Sequence, residues 1–139
     1  MEPAAEYAEF ARRNVRNFKN VEILQCGVGV NERKAFLAGE LMGKRTNEIS
    51  GEPVKIVDLW LLLAEIKSRL GQIGLVKLDC EGCEREVLRN IDSRAIKYVD
   101  AMAVEFHGDL HLEDELMKLL VKNGLYPLWK GSPFFVRHN

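Results

Sequence analysis

The chain has 139 residues, with 20 Lys and Arg against 21 Asp and Glu, 47% hydrophobic residues and three cysteines. That length suits a single domain over 1–139, and a net charge of −1 gives no overall field to draw the chain to nucleic acid or to an anionic membrane. The longest apolar run, Leu59 to Ala64, is far short of the ~20 residues that span a bilayer. Met1 to Glu6 carries neither the basic nor the apolar segment of a signal peptide. An odd cysteine count argues against a disulfide framework and for a reducing cytoplasm.

Tyr7, Ala11, Val15 and Phe18 recur at helical spacing, predicting an amphipathic helix from about Pro3 to Phe18. Val21 to Cys26 reads as a short buried strand stopped by Gly27-Val28-Gly29. Arg33 to Leu37 is a weaker strand, and the Gly-rich polar residues 38–53 read as a long loop. Val54 to Val57 follows as a strand, and Asp58 is placed to cap a helix whose stripe is Leu59, Leu62, Leu63, Ile66 and Leu70 and whose stop is Gly71. Leu75 to Asp79 is a strand running through Cys80-Glu81-Gly82 into a helix that buries Val87, Leu88 and Ile91. Ala101 to Phe106 is a strand apolar enough to be covered on both faces. A helix with Leu112, Leu116, Leu119 and Leu120 closes at Gly124, and Tyr126–Trp129 with Phe134–Arg137 reads as an antiparallel pair. The alternation of helix and strand predicts an α/β fold.

In open α/β sheets, ligands bind beyond the carboxyl ends of the strands. Those ends deliver Gln25, Cys26 and Gly27-Val28-Gly29, then Asp79, Cys80 and Glu81, then Glu105, Phe106 and His107. Three strands thus point polar groups, mostly ionisable, to one edge. Purely structural roles compete at each position. Asp79 and Glu81 can cap the following helix, Glu105 can pair with Arg85, Arg89 or Arg94, and His107 can be a satisfied surface histidine. Gly27-x-Gly29 is a weak phosphate-loop hint, with no helical stripe behind it. Cys80-Glu81-Gly82-Cys83 allows disulfide exchange, or a zinc half-site completed by Cys26 and His107. No second Cys-x-x-Cys supports zinc, and the surrounding acids would raise a thiol pKa.

Val76-Lys77-Leu78-Asp79-Cys80-Glu81-Gly82-Cys83-Glu84, followed by Val87-Leu88 and by Val104-Glu105-Phe106-His107, resembles the FkbM family of S-adenosylmethionine-dependent methyltransferases. Met1-Glu2-Pro3, the helix with Asn14-Val15, and Asn20-Val21-Glu22 before Gly27-Val28-Gly29 are similar to that family's Glu-Pro segment and the strand after it. The resemblance implies a Rossmann-like class I methyltransferase sheet, mostly parallel with an antiparallel C-terminal pair, and O-methylation of a small molecule or sugar. It implies that Glu2 holds the cofactor ribose, that Cys26, Gly27 and Val28 lie near the adenine, and that Asp79 and Glu81 flank the methionine moiety and acceptor. It makes His107 the base for an acceptor hydroxyl. Cys80 and Cys83 fall at positions which the family leaves variable. The family's first strand and Asp-x-Gly-rich loop precede the Glu-Pro segment, whereas this sequence opens on it. The expected sheet is therefore N-terminally truncated, with weak or absent cofactor binding by the chain alone. Its exposed strand edge would suit a homo-oligomer. The alternatives are a non-catalytic oligomeric α/β interaction module and a thiol or zinc site at Cys80 and Cys83.

Overall fold

The computed structural model describes residues 1–38, 45–47, 51–107, 110–129 and 133–137. The chain divides into two compact units, Met1–Asp58 and Leu59–Asn139.

The first unit opens with α1 (Ala5–Val15), followed by β1 (Gly27–Gly29), β2 (Arg33–Ala38), β3 (Arg45–Asn47) and β4 (Glu52–Asp58). Its strand order is β1-β4-β2-β3. β4 pairs in parallel with β1 and antiparallel with β2, which in turn pairs antiparallel with β3. The period-two pattern of β4 decides its inner face, burying Val54, Ile56 and Asp58 while Pro53 and Lys55 face out. Ala4, Ala35, Leu37, Val54 and Ile56 form the core cluster.

Three expectations change here. The predicted stripe of α1 does not make its contact: Ala4 and Ala8 are buried, while Tyr7, Phe10 and Phe18 are exposed. Two small side chains one turn apart let a helix approach its neighbour closely, which larger residues would prevent. Val21 to Cys26 forms no strand, because it has no ladder partner among the described residues. It is tied down by the Glu2 N–H donating to the Leu24 carbonyl at 3.0 Å and by the Val21 N–H donating to the Phe18 carbonyl at 3.4 Å. The glycines read as its stop are themselves the strand β1, lying against Ile56 to Asp58. A Cβ on Gly27 would sit 2.6 Å from Ile56 Cδ1, so glycine there serves close approach rather than a turn. Finally, the segment 38–53 is not all loop, since Arg45–Asn47 pairs with β2 and Glu52 and Pro53 open β4. Of the predicted loop, residues 39–44 and 48–50 lie outside the described residues.

The second unit contains α2 (Leu59–Leu70), β5 (Ile73–Leu78), α3 (Glu84–Arg89), α4 (Ser93–Ile96), β6 (Val99–Val104), α5 (Leu110–Lys122), β7 (Leu125–Pro127) and β8 (Phe134–Arg137). Its strand order is β5-β6-β8-β7, with β5 and β6 parallel and the other pairs antiparallel. The predicted C-terminal antiparallel pair is therefore present. α2 ends as its sequence says it should, with Gly71 at φ 87 and its N–H on the Lys67 carbonyl at 2.8 Å. Val87, Leu88, Val99, Met102, Leu120, Leu125 and Phe135 are fully buried. Trp60 Nε1–H donates to the Val87 carbonyl at 3.2 Å, which ties α2 to α3. Arg137 acts as a staple, donating to the carbonyls of Ile96 at 2.7 Å, Val99 at 3.1 Å and Asn123 at 3.3 Å.

The α/β class holds, as two mixed sheets rather than one mostly parallel sheet. Among the described residues parallel pairing is limited to β1 with β4 and β5 with β6, while β2 and β3 add antiparallel ladders to the first sheet and β7 and β8 do so in the second. Among the described residues no helix is long and apolar enough to cross a membrane.

Candidate functional site

Parallel pairing aligns Leu78 with Val104, so the chain leaves β5 at Asp79 and β6 at Glu105 on the same edge. The Glu105 N–H donates to the Leu78 carbonyl at 3.0 Å and extends the register by one step. After Asp79 the backbone turns through Glu81 at φ 54 and Gly82 at φ 117, two left-handed residues in succession. Cys80 and Cys83 are joined by a disulfide across this turn, with Cα atoms 5.5 Å apart.

Glu84 then opens α3 with its side chain 2% exposed. It lies on the face of Val87 and Leu88, and its Oε1 reaches back to accept the Cys80 N–H at 3.0 Å. The same oxygen lies 3.0 Å from His107 Nδ1. Its partner Oε2 is buried with no hydrogen-bond partner among the described residues. On the imidazole's other side, Nε2 lies 3.5 Å from Glu81 Oε2 and 3.8 Å from Glu105 Oε1.

These placements fix the electrostatics. The hydrogen bond to Glu84 raises the His107 pKa above its ordinary value, with Glu81 and Glu105 acting in the same direction and partial burial opposing. A buried carboxylate that receives Nδ1–H turns Nε2 outward, the arrangement that prepares an imidazole to accept a proton. Lys77 Nζ, 2.8 Å from Asp79 Oδ2, holds that carboxyl below its usual range. One carboxylate oxygen each from Asp79 and Glu105 and a ring nitrogen of His107 lie within 4.8 Å of one another, close enough to surround a cation. The Lys77 ammonium already supplies positive charge there, which weakens that use.

Asp79, Glu81 and His107 are thus brought together, as their strand-end positions predict. Of the competing structural roles, that of His107 as a satisfied histidine is compatible with its bond to Glu84, while the capping and Glu105 pairing roles are not found among the described residues. The N-cap residue of α3 is Cys83, with no side-chain cap bond. Glu105 is exposed rather than buried, and Arg89 and Arg94 pair instead with Glu115 and Asp92. The disulfide leaves Cys80 and Cys83 with no thiolate to offer zinc in this form, and as one local bridge beside a free Cys26 it is not a disulfide framework. Sequence reasoning missed Glu84 as a functional residue. The available signal was its spacing, since 84, 87 and 88 share one helical face, whereas Ile91, expected on the same face, lies beyond the end of α3 and is half-buried.

The residues predicted for the cofactor, Glu2, Cys26, Gly27 and Val28, all lie in the first unit. Glu2 and Pro3 reach the start of β1, through the bond to Leu24 and a Pro3 Cβ 3.9 Å from where a Gly27 Cβ would lie. Glu2 Oε1 accepts the Ala4 N–H at 2.8 Å and Glu52 Oε1 accepts the Ala5 N–H at 2.9 Å, which satisfies the first amides of α1. Burial pushes the Cys26 thiol pKa up, so it is not a reactive thiolate. Val28 is half-buried. An open groove in this unit is lined by residues of 32–36 and 53–55 and by none of these four. Comparison of the chain with protein-family models, with curated proteins and with solved structures returns no match.

Proposed function

We propose that the chain is an FkbM-type, S-adenosylmethionine-dependent O-methyltransferase domain with a Rossmann-like ancestry, acting on a hydroxyl of a small molecule or sugar. The observation that carries this reading is His107, braced through Nδ1 by a buried carboxylate and presenting Nε2 to the edge where Asp79, Glu81 and Glu105 converge. Nε2 takes the proton of an acceptor hydroxyl as its oxygen becomes a nucleophile. Glu84 stabilises the imidazolium that results. Asp79, Glu81 and Glu105 are hydrogen-bond acceptors only, which favours a neutral polyol over an anionic acceptor.

When bound, S-adenosylmethionine supplies an electrophilic methyl group on a sulfonium. Glu2 gives one carboxylate oxygen to the Ala4 N–H, its Oε2 is assigned to a ribose hydroxyl, and the small and apolar Cys26, Gly27 and Val28 are assigned to the adenine.

The test is an NMR titration of the chain with S-adenosylmethionine to millimolar concentration. Saturable shifts at the Glu2 and Val28 amides, weakened by Glu2→Gln, support the proposal. An absence of shifts, or shifts confined to other residues, overturns it. One observation favours a second reading, a non-catalytic module that oligomerises. β5 is an end strand of its sheet and Leu75 on it is 59% exposed. Sedimentation showing a monomer at every concentration would sink that alternative.

A further inference from the structure

We propose that Cys80–Cys83 is a thiol–disulfide exchange site for a dithiol reductant, and that its redox state is read at His107 through Glu84 Oε1. The disulfide encloses only Glu81 and Gly82, and both cysteines are half-buried, so a small reductant reaches the sulfurs. The ring holds Glu81 at φ 54, a left-handed conformation that a non-glycine residue rarely adopts, and with Glu81 so held its Oε2 stays 3.5 Å from His107 Nε2. Cys80 Sγ lies 3.4 Å from Glu84 Oε1, the oxygen that also receives the Cys80 N–H and faces His107 Nδ1. In the disulfide that sulfur has no proton to give.

Reduction changes this. A thiolate of the dithiol attacks one sulfur of the pair, and the S–S bond breaks to leave a mixed disulfide and one cysteine thiol. The dithiol's second thiol then displaces the other cysteine. Two electrons and two protons pass to the pair, giving Cys80–SH and Cys83–SH, and the reductant leaves as its cyclic disulfide. In the thiol form the Cys80 S–H becomes a donor beside Oε1 and competes with the imidazole for it. At the same step the ring opens and Glu81 is free to leave its left-handed conformation. Both changes loosen the brace on His107. The exchange stands on this geometry whether or not the chain transfers methyl groups.

The experiment equilibrates the folded chain in mixtures of reduced and oxidised dithiothreitol. Alkylation counted by mass is run in parallel with NMR of the His107 imidazole and the Glu81 amide. The expected result is a gain of two labels in one step, from Cys80 and Cys83, with the His107 and Glu81 signals switching at the same midpoint. Cys80→Ala/Cys83→Ala separates the two effects, because it opens the ring without supplying a donor. It is expected to move the Glu81 signal as reduction does and to leave the His107 Nδ1 signal near its oxidised position. Two results would overturn the proposal: labels gained only after denaturation, or labels gained in the folded chain while the wild-type His107 signals stay fixed.

Discussion

Glu84 offers the sharpest test of how the second unit is held together, through replacement by Gln and by Leu. Gln keeps the shape and leaves a carbonyl oxygen where Oε1 accepts the Cys80 N–H at 3.0 Å, but it removes the charge facing His107. A hydrogen bond to a charged group contributes about 1.5–3 kcal/mol and a neutral one about 0.5–1.5 kcal/mol, so Glu84→Gln loses about 1 kcal/mol while His107 is protonated. The sign with pH follows from the raised His107 pKa. Stability from the charged pair is fully present below the ordinary histidine value of 6.5 and fades as pH rises through the higher folded value. Urea unfolding followed by the fluorescence of buried Trp60 is therefore expected to show a midpoint lowered by about 0.5 M at pH 6, with an m value of about 2 kcal/mol/M, and nearly restored at pH 9. Glu84→Leu also strands the Cys80 N–H and should cost about 1–3 kcal/mol at both pH values. Equal losses for Glu84→Gln at pH 6 and pH 9 would refute the reasoning, because the destabilisation would then not involve the His107 charge.

Three further outcomes follow from the packing. Gly27→Ala is expected to cost about 1–3 kcal/mol by pressing a Cβ to 2.6 Å from Ile56 Cδ1. Ile56→Val deletes that atom and should rescue it in thermal melts, yet fail to rescue Gly29→Ala, whose Cβ meets Ile56 Cγ2 at 2.9 Å. Arg137→Met removes donors to three carbonyls and should lower stability by about 3 kcal/mol in urea titrations. Asp92 caps α4 by accepting the Arg94 N–H, and the Arg94 side chain and that amide lower its pKa to about 2. Its contribution is present above the usual value of 3.8 and is lost as pH falls through about 2, so Asp92→Ala should cost about 1 kcal/mol at neutral pH and progressively less as pH falls from 3.8 through 2.

What could be read from the residues, and what could not, divides along how locally each feature is encoded. α2 and its Gly71 stop, the apolar β6 and the β7–β8 pair carry their period or punctuation within a few residues, and each formed, although β6 runs Val99–Val104, β7 runs Leu125–Pro127, and Leu70 of the α2 stripe is exposed where Trp60 is buried. Val21 to Cys26 looks like a strand in composition, but a strand exists only with a neighbour, and β4 aligns with Gly27 to Gly29 instead. α4 was missed because four residues are too few to show a helical period, leaving the Asp92 cap as its one signal. The site itself was legible in part for a physical reason. Parallel strands paired in register must bring their carboxyl ends to one edge, so Asp79, Glu105 and His107 converge once β5 and β6 pair. The brace behind them was not legible as function, because Glu84 reads as one more acid in a charged run until Val87 and Leu88 carry its face of α3 into the core. The fold therefore determines which of several similar carboxylates governs the histidine. Glu105 and Glu81 remain largely in solvent, where their fields are screened, while Glu84 is buried and in hydrogen-bond contact, so its charge acts on His107 at close to full strength.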